Sequence, residues 1–437
     1  MPIRGPSEAL RYRPPSTVDT IGRVACETAA MNRVARALGL ATGLADGDRL
    51  PPATATAVVR AVALGDPQAR SAKIFAVLEH HGLLGDDGRL RPDVQLVSIG
   101  DHFDFGTRAQ GTTDDARVDG ARMLRWLCAH PPAQVAVLVG NHDLARVMEL
   151  ARVSDARFAA AAALAEALLP LKATDPAAFA DRVRDEYTAV YPEVPTPGVV
   201  FRDFSAFTEA QRALVQRELL AGRLRLAATA ALPGGGALLL THAGITAREL
   251  ALLGLPDERE PVHLAAALDA HLGHAVDSVR AAWERGDEAA LSLAPLHVPG
   301  ATGVDGLGAL PEGGGMLYHR PADPDRPGAD RSWENEHTRP RRFHPRTLPA
   351  GLAQVAGHTG HPKCVAELVR WRDPAMQETL SGKRTLRVRG GTDIHYQLGV
   401  ADCEPGDAVL YMIDPSIHRA PDPAGVELFE LAPGSVR

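Results

Sequence analysis

The alternation of apolar and polar positions repeats one figure along the first third of the chain. AVVRAVALGD at 57–66 is a short apolar run that stops at a glycine and an acid. SAKIFAVLEHHGLL at 71–84 then carries apolar residues at helical spacing. The figure returns in DVQLVSIGD at 93–101, followed by a helical stretch at 114–130, and again in QVAVLVGNHD at 134–143. Three strands joined by helical crossovers predict neighbouring parallel strands with right-handed connections. Their C-terminal ends are expected to meet at one crevice.

Further on, LRLAATAAL, the turn PGGG and ALLLTHAGI at 224–245 read as a hairpin. LAQVAGHTGH at 352–361 is another apolar run ending in a small polar motif, and LRVRG, AVLYMIDPSI and GVELFELA near the C-terminus are strand-like. Residues 20–44 are alanine-rich with helical spacing, and 151–223 and 250–293 are mostly helical in pattern. The glycine-rich stretch 295–315 and the proline-rich, arginine-rich stretch 321–349 have no period. The first 18 residues hold four prolines and read as a loose arm. The division that follows is an N-terminal arm and helix over 1–57, then one domain over 58–437 with helical inserts at about 151–223 and 246–310.

Bulk properties narrow the class. Apolar residues at 45% and charged residues at 23% provide for a large core and exclude disorder of the whole chain. A net charge of -7 gives no electrostatic footprint for nucleic acid or an anionic membrane. Cys26, Cys128, Cys364 and Cys403 lie far apart, without a CxxC pair, which fits a reducing compartment. No stretch reaches about 18 uninterrupted apolar residues. A cytoplasmic protein without a membrane span is the expectation.

The polar residues at the ends of the apolar runs carry the chemistry. They are Asp66 and Gln68, Asp101 and Asp104, Asn141 and His142, His242, and His358. Singly, a Gly-Asp after a strand is commonly a turn, and a lone histidine is commonly a hydrogen-bonded core or surface residue. Jointly, acids, an amide and imidazoles at converging strand ends match what two divalent ions about 3.5 to 4 Å apart require.

The motifs GDPQ (65–68), GDHFDFG (100–106), GNHD (140–143), THAGI (241–245) and GHTGH (357–361) resemble the calcineurin-like metallophosphoesterases. The nearest branch is that of the serine/threonine phosphoprotein phosphatases and symmetrical diadenosine tetraphosphate hydrolases. The resemblance implies an α/β fold, a four-layer α/β/β/α sandwich with helical insertions. It implies two divalent metal ions, manganese first, with iron, zinc, nickel or magnesium as other occupants. Asp101 would bridge both ions, Asp66 and Gln68 would complete one site, and Asn141, His242 and His358 the other. His142 would be the general acid, oriented by Asp104. The expected activity is hydrolysis of a phosphorylated substrate by a metal-activated hydroxide, first as a phosphomonoesterase on protein or small molecule. The alternative is a nucleotide pyrophosphatase or phosphodiesterase, such as a dinucleoside polyphosphate hydrolase. A metal-binding scaffold without turnover would have no need of Asp104 and His142.

Three positions depart from the family pattern. Gln68 stands where a histidine is usual, as a weaker oxygen ligand or as a residue that hydrogen-bonds the ligands. Phe105 stands where the phosphatases carry an arginine, so a phosphate clamp must come from elsewhere. Arg320 and, less so, Arg108 are the candidates, because a guanidinium binds two phosphate oxygens at once. His361 follows His358 by three rather than two residues, so the two-histidine motif of the wider superfamily is not matched and a ligand role for His361 stays open.

Overall fold

The computed structural model describes residues 17–52, 57–106, 110–298, 313–326, 341–376, 382–401 and 404–437, the side chains of 17–27 excepted. In chain order the strands are β1 (Arg60–Leu64), β2 (Val94–Ser98), β3 (Val135–Leu138), β4 (Leu224–Arg225), β5 (Ala227–Ala231), β6 (Ala237–Thr241), β7 (His297–Val298) and β8 (Gly314–Gly315). They continue with β9 (Arg320–Pro321), β10 (Arg342–Phe343), β11 (Ala353–Ala356), β12 (Arg384–Arg389), β13 (Asp393–Leu398), β14 (Ala408–Met412) and β15 (Phe429–Leu431). The architecture is mixed α/β, with two large mixed sheets.

The first sheet has the order β15-β1-β2-β3-β4. Strands β1 to β4 run parallel, and β15 joins β1 antiparallel. The three strands expected to be parallel neighbours are so. Their runs are apolar on both faces because both faces are covered. Val62, Leu64, Leu96, Val135 and Val137 turn toward the helices, while the alternate residues Ala61, Ala63, Val97, Ile99, Ala136 and Leu138 turn toward the second sheet.

The second sheet has the order β13-β12-β14-β11-β6-β5, with β6, β11 and β14 parallel to one another. Its Ala228, Leu238, Leu240, Val355, Val409 and Tyr411 share an apolar layer with the first sheet. Leu386, Val388, Leu410 and Met412 pack with Cys364 and Leu368 in a separate cluster. Helix Pro261–Glu284 contacts β5 and β6. Helix Thr17–Gly43 lies against helices Ser71–His80 and Thr113–Ala129, and its Ala37 and Ala41 belong to the main core.

One sequence expectation is corrected. The run 224–232 is not a single hairpin strand: β4 pairs with β3 in the first sheet, and β5 pairs with β6 in the second. The chain changes sheets at Leu226. The N–H groups of Leu226 and Ala227 donate instead to Asp269 Oδ1 at 2.9 and 3.2 Å, and Arg225 Nε reaches Asp269 Oδ2 at 2.7 Å. One carboxylate from helix Pro261–Glu284 thus satisfies the backbone where the ladder is interrupted. Strand β13 was also not anticipated, although Ile394 and Tyr396 alternate as buried residues along it. Among the described residues no helix is long and apolar enough to cross a membrane.

Candidate metal centre

The C-terminal ends of β1, β2, β3, β6 and β11 deliver the residues singled out in the sequence. Asp66, Asp101, Asn141, His242 and His358 are all buried. The approach is close enough to require glycine. A Cβ on Gly140 would lie 2.1 Å from Asp101 Oδ1 and 2.7 Å from His242 Cε1, and a Cβ on Gly357 would lie 2.0 Å from Asp66 Oδ1. Asp101, Asp104 and His358 adopt φ of 57°, 62° and 61°, a left-handed backbone that non-glycine residues seldom take. Strain of this kind clusters where side chains must point to a shared centre.

Four acceptor atoms converge there. His242 Nε2 lies 3.1 Å from Asn141 Oδ1, 3.1 Å from His358 Nδ1 and 3.3 Å from Asp101 Oδ2. The other nitrogen of each ring is already committed: His242 Nδ1 donates to the Ile99 carbonyl at 3.0 Å, and His358 Nε2 donates to the Tyr318 carbonyl at 3.0 Å. In their neutral forms the two rings therefore aim lone pairs at each other across hydrogen-bond distance. A positive charge must sit among them. Burial opposes charge on His242, but the Asp101 carboxylate, aided by Asp66, raises the ring to about 9. Burial, then Arg320 and His242, push His358 well below its ordinary value. The cluster thus tolerates one proton, and a metal ion offers the same positive charge to all four acceptors. Asp101, His242 and His358 bring ligand atoms within 4.8 Å of one another and can hold a metal ion.

Asp101 is held from several sides. Its Oδ1 accepts from the His142 N–H at 2.9 Å, and its own N–H donates to Asp143 Oδ2 at 2.9 Å. Burial works against its charge, yet His242 and His142 keep the carboxyl below its usual range. Asp66 accepts the His358 N–H at 2.9 and 3.0 Å. Burial, and next the charge of Asp414 beyond β14, raise its carboxyl well above the ordinary value. The charges that answer it are His242 and, from the surface, the Lys363 ammonium.

Gln68 is close by but otherwise engaged. Its Nε2 donates to the Phe103 carbonyl at 2.9 Å, which leaves the amide oxygen as the atom able to face a cation. Arg320 lies in β9, near enough for its charge to lower both His358 and the Lys363 ammonium, the latter to about 8. Arg108 lies outside the described residues. His361 faces the Tyr396 hydroxyl, 3.4 Å from Nδ1.

A second unit adjoins the cluster. His142 Nδ1 donates to Asp104 Oδ2 at 3.0 Å, and Asp104 Oδ1 accepts the Ala206 N–H at 2.9 Å. The fully buried Arg146 also donates to Asp104 Oδ2 and grips the His142 carbonyl at 2.8 Å. Burial disfavours charge on His142, but Asp101 and then Asp104 outweigh it and raise the ring above its ordinary value. His142 Nε2 stands 3.9 Å from Asp101 Oδ2.

Two residues here escaped the sequence reading. Arg146 follows His142 by four positions, the spacing of one helix face. Asp143 closes the GNHD motif and accepts the N–H groups of Gly140, Asp101 and His102, each at 2.9 Å. It also meets His102 Nδ1 at 3.1 Å. By tying the β2 and β3 ends together, it sets the distance between Asp101 and Asn141. Comparisons with protein-family models, curated proteins and solved structures found no match to this chain.

Proposed function

We propose that this chain is a calcineurin-like metallophosphoesterase, a hydrolase that uses two divalent ions to cleave a phosphate ester or anhydride. The observation that carries the proposal is the set of four acceptors on Asp101, Asn141, His242 and His358, with both outer ring nitrogens spent on carbonyls. Two mixed sheets sharing an apolar layer, with helices packed on both, support the four-layer reading of the fold.

Asp101, Asn141, His242 and His358 would hold one ion; Asp66, Gln68 and the shared Asp101 would hold the other. Bound divalent ions would supply Lewis-acid charge that polarises the phosphate and makes water acidic enough to attack at neutral pH. The protein's own part is proton placement. With Nδ1 bonded to Asp104, the protonated His142 keeps its second proton on Nε2, the nitrogen facing Asp101. From there it can pass to the leaving oxygen as the bond from phosphorus to that oxygen breaks. Arg146 fixes Asp104 and is too buried to touch substrate, so the phosphate grip falls to Arg320.

The test is metal analysis of the protein together with a hydrolysis panel. The panel covers phosphopeptides, nucleotides, dinucleotides and diester reporters, each with manganese, nickel, iron, magnesium and zinc. Bound metal and metal-dependent release of phosphate are expected. A protein that takes up none of these ions and cleaves none of these substrates would refute the proposal.

A further inference from the structure

Beside the acidic side of the cluster, a cavity of about 680 Å³ is lined by Arg70, Lys73, Phe105, Thr112, His418 and Arg419, with two further residues. It adjoins the proposed reaction centre through the chain itself. Arg70 follows Gln68 by two residues, and Phe105 follows Asp104 directly. Lys73 Nζ ties the helix Ser71–His80 to the turn Ile417–Arg419 by donating to the carbonyls of His418 at 3.2 Å and Ala420 at 2.5 Å.

The charges around this cavity do not balance. Arg70 is paired with Asp115. Lys73 has only the two carbonyls, and Arg419 donates to the His418 ring at 3.2 Å. Among the described residues neither Lys73 nor Arg419 has a carboxylate partner. Of the lining side chains three are cations and none is a carboxylate, with Asp115 paired to Arg70 and Asp414 acting on His418 from outside the lining, so the wall is cationic around a space in the size range of small-molecule sites, about 300 to 1,000 Å³. Burial also lowers the Lys73 ammonium, a cost that a bound anion would offset. The Phe105 ring adds an apolar wall. The neighbouring cluster differs in kind: there Asp66, Asp101 and Asp414 are mixed with Arg320 and Lys363, whereas the cavity wall carries cations alone.

We propose that this cavity receives further phosphate groups of the substrate, so that the scissile phosphate belongs to a polyphosphate chain such as that of a nucleoside polyphosphate. The inference rests on the metallophosphoesterase reading and selects within it. A lone phosphate held at the cluster leaves the cavity unused. A chain of phosphates runs from the cluster past Phe105 to Lys73 and Arg419, where each added negative charge meets a cation instead of a carboxylate.

The experiment uses the full chain and the double variant Arg70→Ala/Arg419→Ala, since both side chains are exposed. With manganese present, kcat/KM is measured for inorganic tripolyphosphate, a dinucleoside tetraphosphate and p-nitrophenyl phosphate. The expected result is a loss of tenfold or more for the two polyphosphates and of less than threefold for the monoester. Equal losses across the three, or no loss, would overturn the proposal. Binding of tripolyphosphate to the protein as purified, without added metal, separates the two readings. Binding that the double variant weakens tenfold, in a protein that hydrolyses nothing, would keep the cavity and sink the hydrolase. Binding that is absent, or indifferent to the double variant, would sink the cavity alone.

Discussion

His130 and the pair His242 and His358 are buried to the same depth, yet their surroundings are opposite in kind. His130 donates from Nδ1 to the Trp126 carbonyl at 2.7 Å, and its Nε2 accepts the Leu90 N–H at 3.0 Å, with the Trp126 ring 4.4 Å away. One donor and one acceptor are each matched, so a neutral imidazole fits without residue. At the strand ends the carbonyls of Ile99 and Tyr318 use up the ring N–H groups, and the remaining lone pairs meet each other, an amide oxygen and a carboxylate. Burial alone does not mark a functional histidine. The mark is a buried acceptor that no donor reaches, because such a site is unfavourable until a cation enters it.

The comparison breaks most severely at Asp101. Asp101→Asn is expected to bring hydrolysis to background and to reduce metal content, since a neutral amide cannot hold two cations together. Inductively coupled plasma analysis alongside a phosphate-release assay checks both. Full metal content with near-normal turnover would remove Asp101 from the bridging position. His142→Ala comes next: metal content is kept, while kcat falls by about 10² to 10⁴ for a poor leaving group, the range for a lost general acid. An activated aryl leaving group should show a much smaller loss, and equal losses would argue that His142 does not donate the proton.

Much of this site was legible because the fold writes it locally. A glycine or a small polar residue followed by a polar side chain at the end of an apolar run can be seen without knowing what they meet: Asp66, Asp101, Asn141 and His358 follow a glycine, and His242 follows Thr241. The change of sheet at Leu226 could not be seen, since it depends on Asp269, 43 residues further along and on another element. The opposed lone pairs were equally hidden. Sequence gives two histidines, but only geometry shows that their outer nitrogens are spent on the Ile99 and Tyr318 carbonyls. Asp143 was within reach, as an acid in a quoted motif, and was passed over because its partners are backbone N–H groups. The cationic cavity joins the start of helix Ser71–His80, the end of the GDHFDFG motif and the turn Ile417–Arg419, and its cations Arg70, Lys73 and Arg419 belong to no motif.

The matched histidine supplies the next contrast, one in stability. Burial holds His130 down at about 4, partly offset by its bond to Trp126. The unfolded chain binds its proton near the ordinary value of about 6.5. Between these values the unfolded state holds more protons than the folded one, so stability falls as the pH drops through the window. The loss is about 1.4 kcal/mol per pH unit and about 3 kcal/mol by pH 4. Above the window the contribution is constant. His130→Gln is expected to be less stable than the parent at pH 7 but to lose less on acidification. Urea denaturation of both proteins at pH 7 and pH 5 reads the difference, and parallel losses would mean that His130 does not titrate as a buried neutral ring.

The smallest expected effect sharpens the comparison from the acidic side of the cluster, where Gln68 stands in place of an imidazole. With Nε2 bonded to the Phe103 carbonyl, Gln68 has only its amide oxygen for a cation, a harder and weaker donor than a ring nitrogen. On the proposed two-ion reading, an ion at Asp66 and Gln68 should therefore be the looser of the two and should favour oxygen-preferring metals such as manganese or magnesium. Activity is expected to decline on dialysis and return with added metal. Gln68→His should lower the metal concentration for half-maximal activity severalfold, with a relative gain for zinc or iron, while Gln68→Ala should raise it. Both variants lose the bond to Phe103, so a change shared equally by the two reports that bond, whereas opposite shifts report ligation. Anomalous diffraction placing the Gln68 side chain away from both ions would assign it to holding the Asp101–Asp104 segment in place, and the looseness of the ion would then need another cause.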